Sequence, residues 1–205
     1  MESIIVFALM SLAFAMMPGP DFALVLKNTL VGGRKAGQLT AWGIVTGLLV
    51  HTTAAILGLS TLIAQSIVLF EMVKYIGAAY LFYLGIMALG KKKEAIQDVE
   101  AEGLAKQGQK FFRQAVIVNV MNPKVILFYL TFIPQFVDVT RAVMPQFVLL
   151  GGIYIAIDLV WFLFLAYAMN HVKKLFTGST FRSRMEKITG VLLISFGIKL
   201  ALSDR

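Results

Sequence analysis

The 205-residue sequence has no cysteine, only two histidines and few charges, with Asp, Glu, Lys and Arg together at 15%. Each shortage excludes something. Without cysteine there is no disulfide framework, no thiolate metal site and no dithiol redox relay. No glycine-rich loop ends in Lys-Ser or Lys-Thr, so a phosphate cradle for ATP hydrolysis is missing. His51 and His171 are too far apart for a His-Glu-x-x-His zinc helix, and no nucleophile stands in the setting of an intramembrane protease. No enzyme is expected, and no cofactor. What is present is apolar: 59% of residues are hydrophobic and the mean hydropathy is +0.81. Soluble domains average about 45–50% apolar and about 25% charged. A bilayer is the solvent that fits. Six helices of about 20 residues would use about 120 and leave about 85 for loops, with no room for a soluble enzymatic domain.

The net charge of +8 and the isoelectric point near 9.8 would suggest nucleic acid for a soluble protein. No basic stripe here carries interleaved aromatics for stacking, so no nucleic-acid partner is expected. Apolar length predicts spans over 3–26, 39–63, 67–89, 114–137, 144–169 and 187–203. Ala13-Phe14-Ala15 resembles a signal cleavage site, but Glu2 leads the segment and apolar character resumes beyond the prolines. A first span is the better reading. Basic residues collect in the first connection (Lys27, Arg34, Lys35), the third (Lys91, Lys92, Lys93, Lys106, Lys110, Arg113) and the fifth (Lys173, Lys174, Arg182, Arg184). The odd-numbered connections are therefore expected in the cytoplasm and both termini outside.

Two halves resemble each other weakly. Met17-Pro18-Gly19-Pro20-Asp21 interrupts the first span, and Met121-Asn122-Pro123-Lys124 interrupts the fourth. Arg34 precedes the second span as Arg141 precedes the fifth, and Lys74 with Gly77 and Gly85 matches Lys187 with Gly190 and Gly197. Three spans per half is an odd number, so the second half would enter the membrane from the opposite side. The expected fold is therefore an all-α integral membrane protein of six transmembrane helices in an inverted 3+3 repeat, with helices 1 and 4 broken at their prolines. Repeat one covers 1–89, a mobile cytoplasmic linker 90–113, and repeat two 114–205.

Proline removes a backbone donor and clashes with the carbonyl four residues back. A break inside lipid is tolerated where the released groups face protein or a water-filled cavity. The half-helices after Pro20 and Pro123 would then offer amides to a carboxylate, although structural kinks would use the same prolines. Lys124 and Asp158 each cost about 2.5–3.5 kcal/mol at a helix centre, so they should be paired or wetted. His51 is expected at similar depth, either as a packing residue or as a proton relay. Asp21 is expected nearer the inner face, counting from Lys27, and either caps its helix or joins the site. Gly43 and Gly47, Gly151-Gly152 and the Gly77/Gly85 and Gly190/Gly197 pairs read as helix contacts.

At these residues the chain resembles the lysine-exporter (LysE/RhtB) family of small bacterial amino-acid effluxers. The motifs are Pro18-Gly19-Pro20-Asp21-Phe22, Gly33-Arg34-Lys35-Ala36-Gly37, and Gly77-Ala78-Ala79-Tyr80-Leu81 with Leu84-Gly85. Asn119, Asn122-Pro123-Lys124 and Phe132-Ile133-Pro134-Gln135-Phe136 complete the set. Val50-His51 and Ile157-Asp158 look most like the homoserine, threonine and leucine exporter branch. The resemblance implies export of small neutral amino acids across the bacterial inner membrane, driven by inward proton movement. On that basis Pro18, Gly19, Pro20, Asp21, Asn119, Asn122, Pro123, Lys124 and Asp158 would bind substrate, with His51 and Asp158 coupling protons. Partners would be an amino acid, protons and lipid, and a homodimer is compatible with such a chain. The alternatives are a divalent-cation exporter using Asp21, Asp158 and His51, and a non-transporting membrane scaffold or partner subunit. Hard cations prefer more carboxylates than these spans offer, and Lys124 would repel them. No resident metal is expected.

Overall fold

The computed structural model describes residues 2–59 and 108–177, with isolated helical positions between 72 and 86 and between 187 and 198. Every described element is helical. In chain order these are α1 (Glu2–Met16), α2 (Pro20–Ala54), α3 (Gly108–Val120), α4 (Pro123–Leu127) and α5 (Val143–Thr177). A π turn, Ala55–Leu59, prolongs α2, while a π turn, Phe128–Phe132, and a 3-10 turn, Ile133–Phe136, prolong α4. By length and composition, the stretch Pro20–Gly58, which turns back at Gly33, and Val143–Met169 are apolar enough to cross a membrane, and α3 with α4 and its extensions forms a third candidate, bent by 48°. Apart from the isolated helical positions, the expected third and sixth spans lie outside the described residues, as does the linker up to residue 107. Residues 108–113, read as the end of that linker, belong to α3.

α2 is a hairpin. A straight helix would hold residues 28 and 40 about 18 Å apart, yet Asn28 Nδ2 donates to Thr40 Oγ1 at 3.0 Å. The reversal is at Gly33, with φ 71° and ψ −172°, a combination essentially closed to residues with a side chain. The first connection, expected as a basic loop, is thus a single glycine between two helical arms. The second arm packs closely on both sides because its contacts are small. A Cβ at Gly47 would overlap Asn119 Oδ1, and one at Gly43 would overlap the Phe112 carbonyl. On the other side, a Cβ at Gly151 of α5 would lie 2.6 Å from Thr52 Cγ2. Gly47→Ala should therefore cost about 1–3 kcal/mol by overpacking. At Gly152 an added Cβ meets nothing within 4 Å, and Gly152→Ala should gain about 0.5–1 kcal/mol from helix propensity. Thermal unfolding in detergent checks the opposite signs.

The two ends of the bundle are distinct. At one end a Cβ on Gly32 would come within 3.0 Å of the Phe111 ring, and the Arg34 guanidinium lies 4.4 Å over the Tyr167 ring. This end gathers the Gly33 turn, the start of α3 and the later part of α5. At the other end the Phe7 ring meets Phe136 at 5.1 Å, joining early α1 to the 3-10 turn. Between them lies an aromatic core: Phe128 stacks on Tyr154 at 4.1 Å and meets Phe14 at 4.6 Å and Phe132 at 4.8 Å. Hydroxyls inside the helices bond back to carbonyls four residues earlier, as Thr29 to Val25, Thr40 to Ala36 and Thr52 to Leu48. A threonine satisfied in this way needs no water.

Candidate functional site

The site begins with missing donors. In a continuous helix the Phe14 carbonyl would accept from the amide of residue 18, which is Pro18 and has none. The Met17 amide tightens onto Phe14 O at 3.2 Å instead. Lys124 then supplies the absent donor, its Nζ donating to Phe14 O at 2.7 Å and to Met17 O at 3.1 Å. The same ammonium lies 4.5 Å over the Phe14 ring. A cation at the carbonyl end of a helix is favoured by the helix dipole.

The second break repeats the pattern. Pro123 deprives the Asn119 carbonyl of its partner, the Asn122 amide tightens onto it at 3.0 Å, and His51 Nε2 approaches the same oxygen at 3.2 Å. A carbonyl can only accept, so the ring nitrogen facing it carries the proton. Each proline break is thus closed by a basic side chain from another part of the chain. The restarts differ. Asn122 caps α4, its Oδ1 accepting from the Lys124 amide at 3.1 Å, whereas α2 starts at Gly19 with no side-chain cap.

The breaks also interlock through Asp21. Its Oδ2 accepts from Asn119 Nδ2 and from Asn122 Nδ2, both at 2.9 Å. Asp21, Asn119 and Asn122 are all buried. These bonds hold Asp21 level with the second break, whereas counting from Lys27 set it apart, nearer the inner face. Lys27 lies exposed on the outer side of its arm, and the helix continues to Gly33. Among the described residues, Asp21 Oδ1 and Asn119 Oδ1 are buried acceptors with no donor. Buried polar atoms are rarely left so. A ligand carrying N–H groups would satisfy both.

Asp158, on α5, is 2% exposed and lies within electrostatic range of Asp21 and Lys124. His51 is in electrostatic range of Asp21, and its ring stacks on Tyr129 at 5.6 Å. His51 and Asp158 were expected to couple protons together, and the contacts found for His51 are Asn119 O and the Tyr129 ring. Pro18, Gly19 and Pro20 form the first break, and a Cβ on Gly19 would sit 3.7 Å from Lys124 Nζ. Two residues escaped notice. The Tyr129 hydroxyl is 2.8 Å from Thr52 Oγ1 and donates to Leu48 O at 3.3 Å, joining α2 to the turn after α4. A tyrosine and a threonine inside otherwise apolar spans were the available signal. Among the described residues no group of three or more His, Asp or Glu could hold a metal ion.

Apolar helices around a buried cluster of charges and amides at two helix breaks are the build of a membrane protein with a polar interior. The chain belongs to the LysE type translocator family, whose model matches residues 12–204. It is similar to the uncharacterized membrane protein YrhP of Bacillus subtilis (strain 168), at 38% identity over 99% of this chain and 100% of that protein. It is also similar to an uncharacterized membrane protein of Vibrio cholerae serotype O1 (strain ATCC 39315 / El Tor Inaba N16961), at 31% identity over 95% of this chain and 94% of the relative. No solved structure matches it. The family is one of transporters rather than enzymes, and membrane location follows from family and helices together.

Proposed function

We propose that this translocator exports small neutral amino acids, of the homoserine, threonine and leucine kind, in exchange for protons across a bacterial inner membrane. The observation that carries the reading is the pair of unfilled acceptors, Asp21 Oδ1 and Asn119 Oδ1, at the point where the two breaks interlock. A zwitterion complements this place. Its carboxylate is assigned to the uncapped start of α2 beside Lys124, and its ammonium to Asp158 and the two unfilled oxygens. Asn122 orders Asp21, and Pro18, Gly19, Pro20 and Pro123 keep the backbone open. Asp158 takes a proton when substrate leaves, with His51 relaying it through a ring nitrogen that can both give and take a proton.

The parallel closure of the two breaks supports an inverted 3+3 repeat, with repeat one over 1–89 and repeat two over 114–205. Rocking of one repeat against the other would expose the site alternately. The end carrying Gly33 and Arg34 faces the cytoplasm, by its positive charge, and both termini face outside. Purified protein in vesicles loaded with labelled amino acids tests the function. Efflux should accelerate when the receiving side is acidified and slow when a protonophore collapses the gradient. Vesicles that release no amino acid under any gradient would overturn the proposal.

A further inference from the structure

One hydrogen bond away from the charged cluster lies a cavity of about 330 Å³. The His51 and Tyr129 rings line it on one side, while Ala54, Ala55, Gly58, Ile126 and Leu130 complete a largely apolar wall. Small-molecule sites span about 300–1,000 Å³ and combine apolar walls with a few placed polar groups. Two features set this cavity apart from an ordinary groove between helices. Its walls include both π turns, through Ala55 and Gly58 of one and Tyr129 and Leu130 of the other. π-helical residues make up well under 1% of proteins, and such turns appear frequently at functional sites because they widen the helix locally. The cavity is also tied to the cluster: His51 touches Asn119 O, and the Asn119 side chain holds Asp21.

We infer that this cavity receives the side chain of the transported amino acid, and that the preferred substrates are neutral amino acids with aliphatic side chains of valine, leucine, isoleucine or methionine size. The assignment rests on the amino-acid export proposed above and narrows it to the leucine kind, with threonine and homoserine as weaker cargo. The head group occupies the unfilled acceptors of Asp21 and Asn119, and the side chain passes the His51 ring into the space between the π turns. Tyr129 is a positioning residue. Its hydroxyl is engaged with Thr52 and Leu48, so its ring forms a fixed wall rather than a hydrogen-bonding subsite for a hydroxylated side chain. Ile126 and Leu130 set how far the side chain reaches.

Gly58 makes the test direct, because a Cβ there meets nothing within 4 Å, so a larger residue can enter the cavity with little strain on the fold. Full-length wild type, Gly58→Leu and Ile126→Ala are compared in vesicles, with leucine, threonine and phenylalanine as cargo. Gly58→Leu should lower the leucine-to-threonine export ratio by about 10-fold or more, since one methylene changes selectivity in an apolar pocket by about 10- to 200-fold. Ile126→Ala should raise the phenylalanine-to-leucine ratio, and it decides the matter if Gly58→Leu fails to fold. Ratios identical to wild type in both variants would overturn the side-chain pocket while leaving export standing. So would unchanged ratios accompanied by loss of a co-purified lipid from Gly58→Leu, which would assign the cavity to an acyl chain. A wild type that moves no amino acid fails the export proposal itself, and the pocket falls with it.

Discussion

Lys124→Ala is expected to lower stability by about 2–4 kcal/mol and to leave no measurable export. Two hydrogen bonds from a charged donor are lost, to Phe14 O and Met17 O, each worth about 1.5–3 kcal/mol. The Phe14 carbonyl keeps the Met17 amide, which holds the sum below its upper limit. The Met17 carbonyl loses its link to the second break, beside prolines that cannot donate. The cluster also loses its ammonium near Asp21 and Asp158, leaving Asp158 without that cation and Asp21 with only its amide donors and His51. Lys124→Met isolates the hydrogen bonds, because a similar stem can still pack on the Phe14 ring. Unfolding in detergent should place the methionine variant within about 1 kcal/mol of the alanine variant if donors dominate. A methionine variant as stable as wild type would show instead that the stem carries the contact.

Much of this was legible in the sequence, and what was missed has physical reasons. Proline chemistry is local, so Pro18, Pro20 and Pro123 announced both breaks from the chain alone. Which group replaces a missing donor is not local. Lys124 reaches Phe14 and His51 reaches Asn119 across large sequence separations, which only the packing of helices decides. Counting from Lys27 places Asp21 apart from Asn119 and Asn122, its hydrogen-bond partners, because Lys27 does not end its helical arm. A lysine can lie on a helix flank and extend toward the interface, so its position does not end the span. Gly33 stood in plain view within a Gly-Arg-Lys motif, but apolar length cannot distinguish a loop from a one-residue reversal between helical arms. The π turns around the cavity have no sequence period of their own. They arise where packing forces an extra residue into a turn, so Tyr129 and Gly58 carried no mark of their place.

Asp158→Asn is expected to act in the opposite sense on stability, making the protein more resistant to unfolding by about 1–3 kcal/mol while ending proton-driven export. Asp158 lies about 22 Å along α5 from its start, well inside the span. Among the described residues no donor is hydrogen-bonded to its carboxylate, and the like charge of Asp21 is in range. A charge so placed costs folding energy, only partly offset by Lys124, and an amide of the same shape removes that cost. A carboxylate held for structure would give the reverse sign, because its loss would break a favourable pair. The transport measurement separates two roles within function. If Asp158 carries only the proton, equilibrium exchange of labelled amino acid should persist in Asp158→Asn while acceleration by an acidic receiving side disappears. If it also holds the ammonium, exchange should fall with it, and the thermal shift produced by saturating substrate should shrink as well. Wild-type efflux with intact proton dependence would remove Asp158 from the mechanism. A fall in stability would make it a structural residue. A gain in stability with a loss of coupling is the signature of a buried charge kept for transport rather than for the fold.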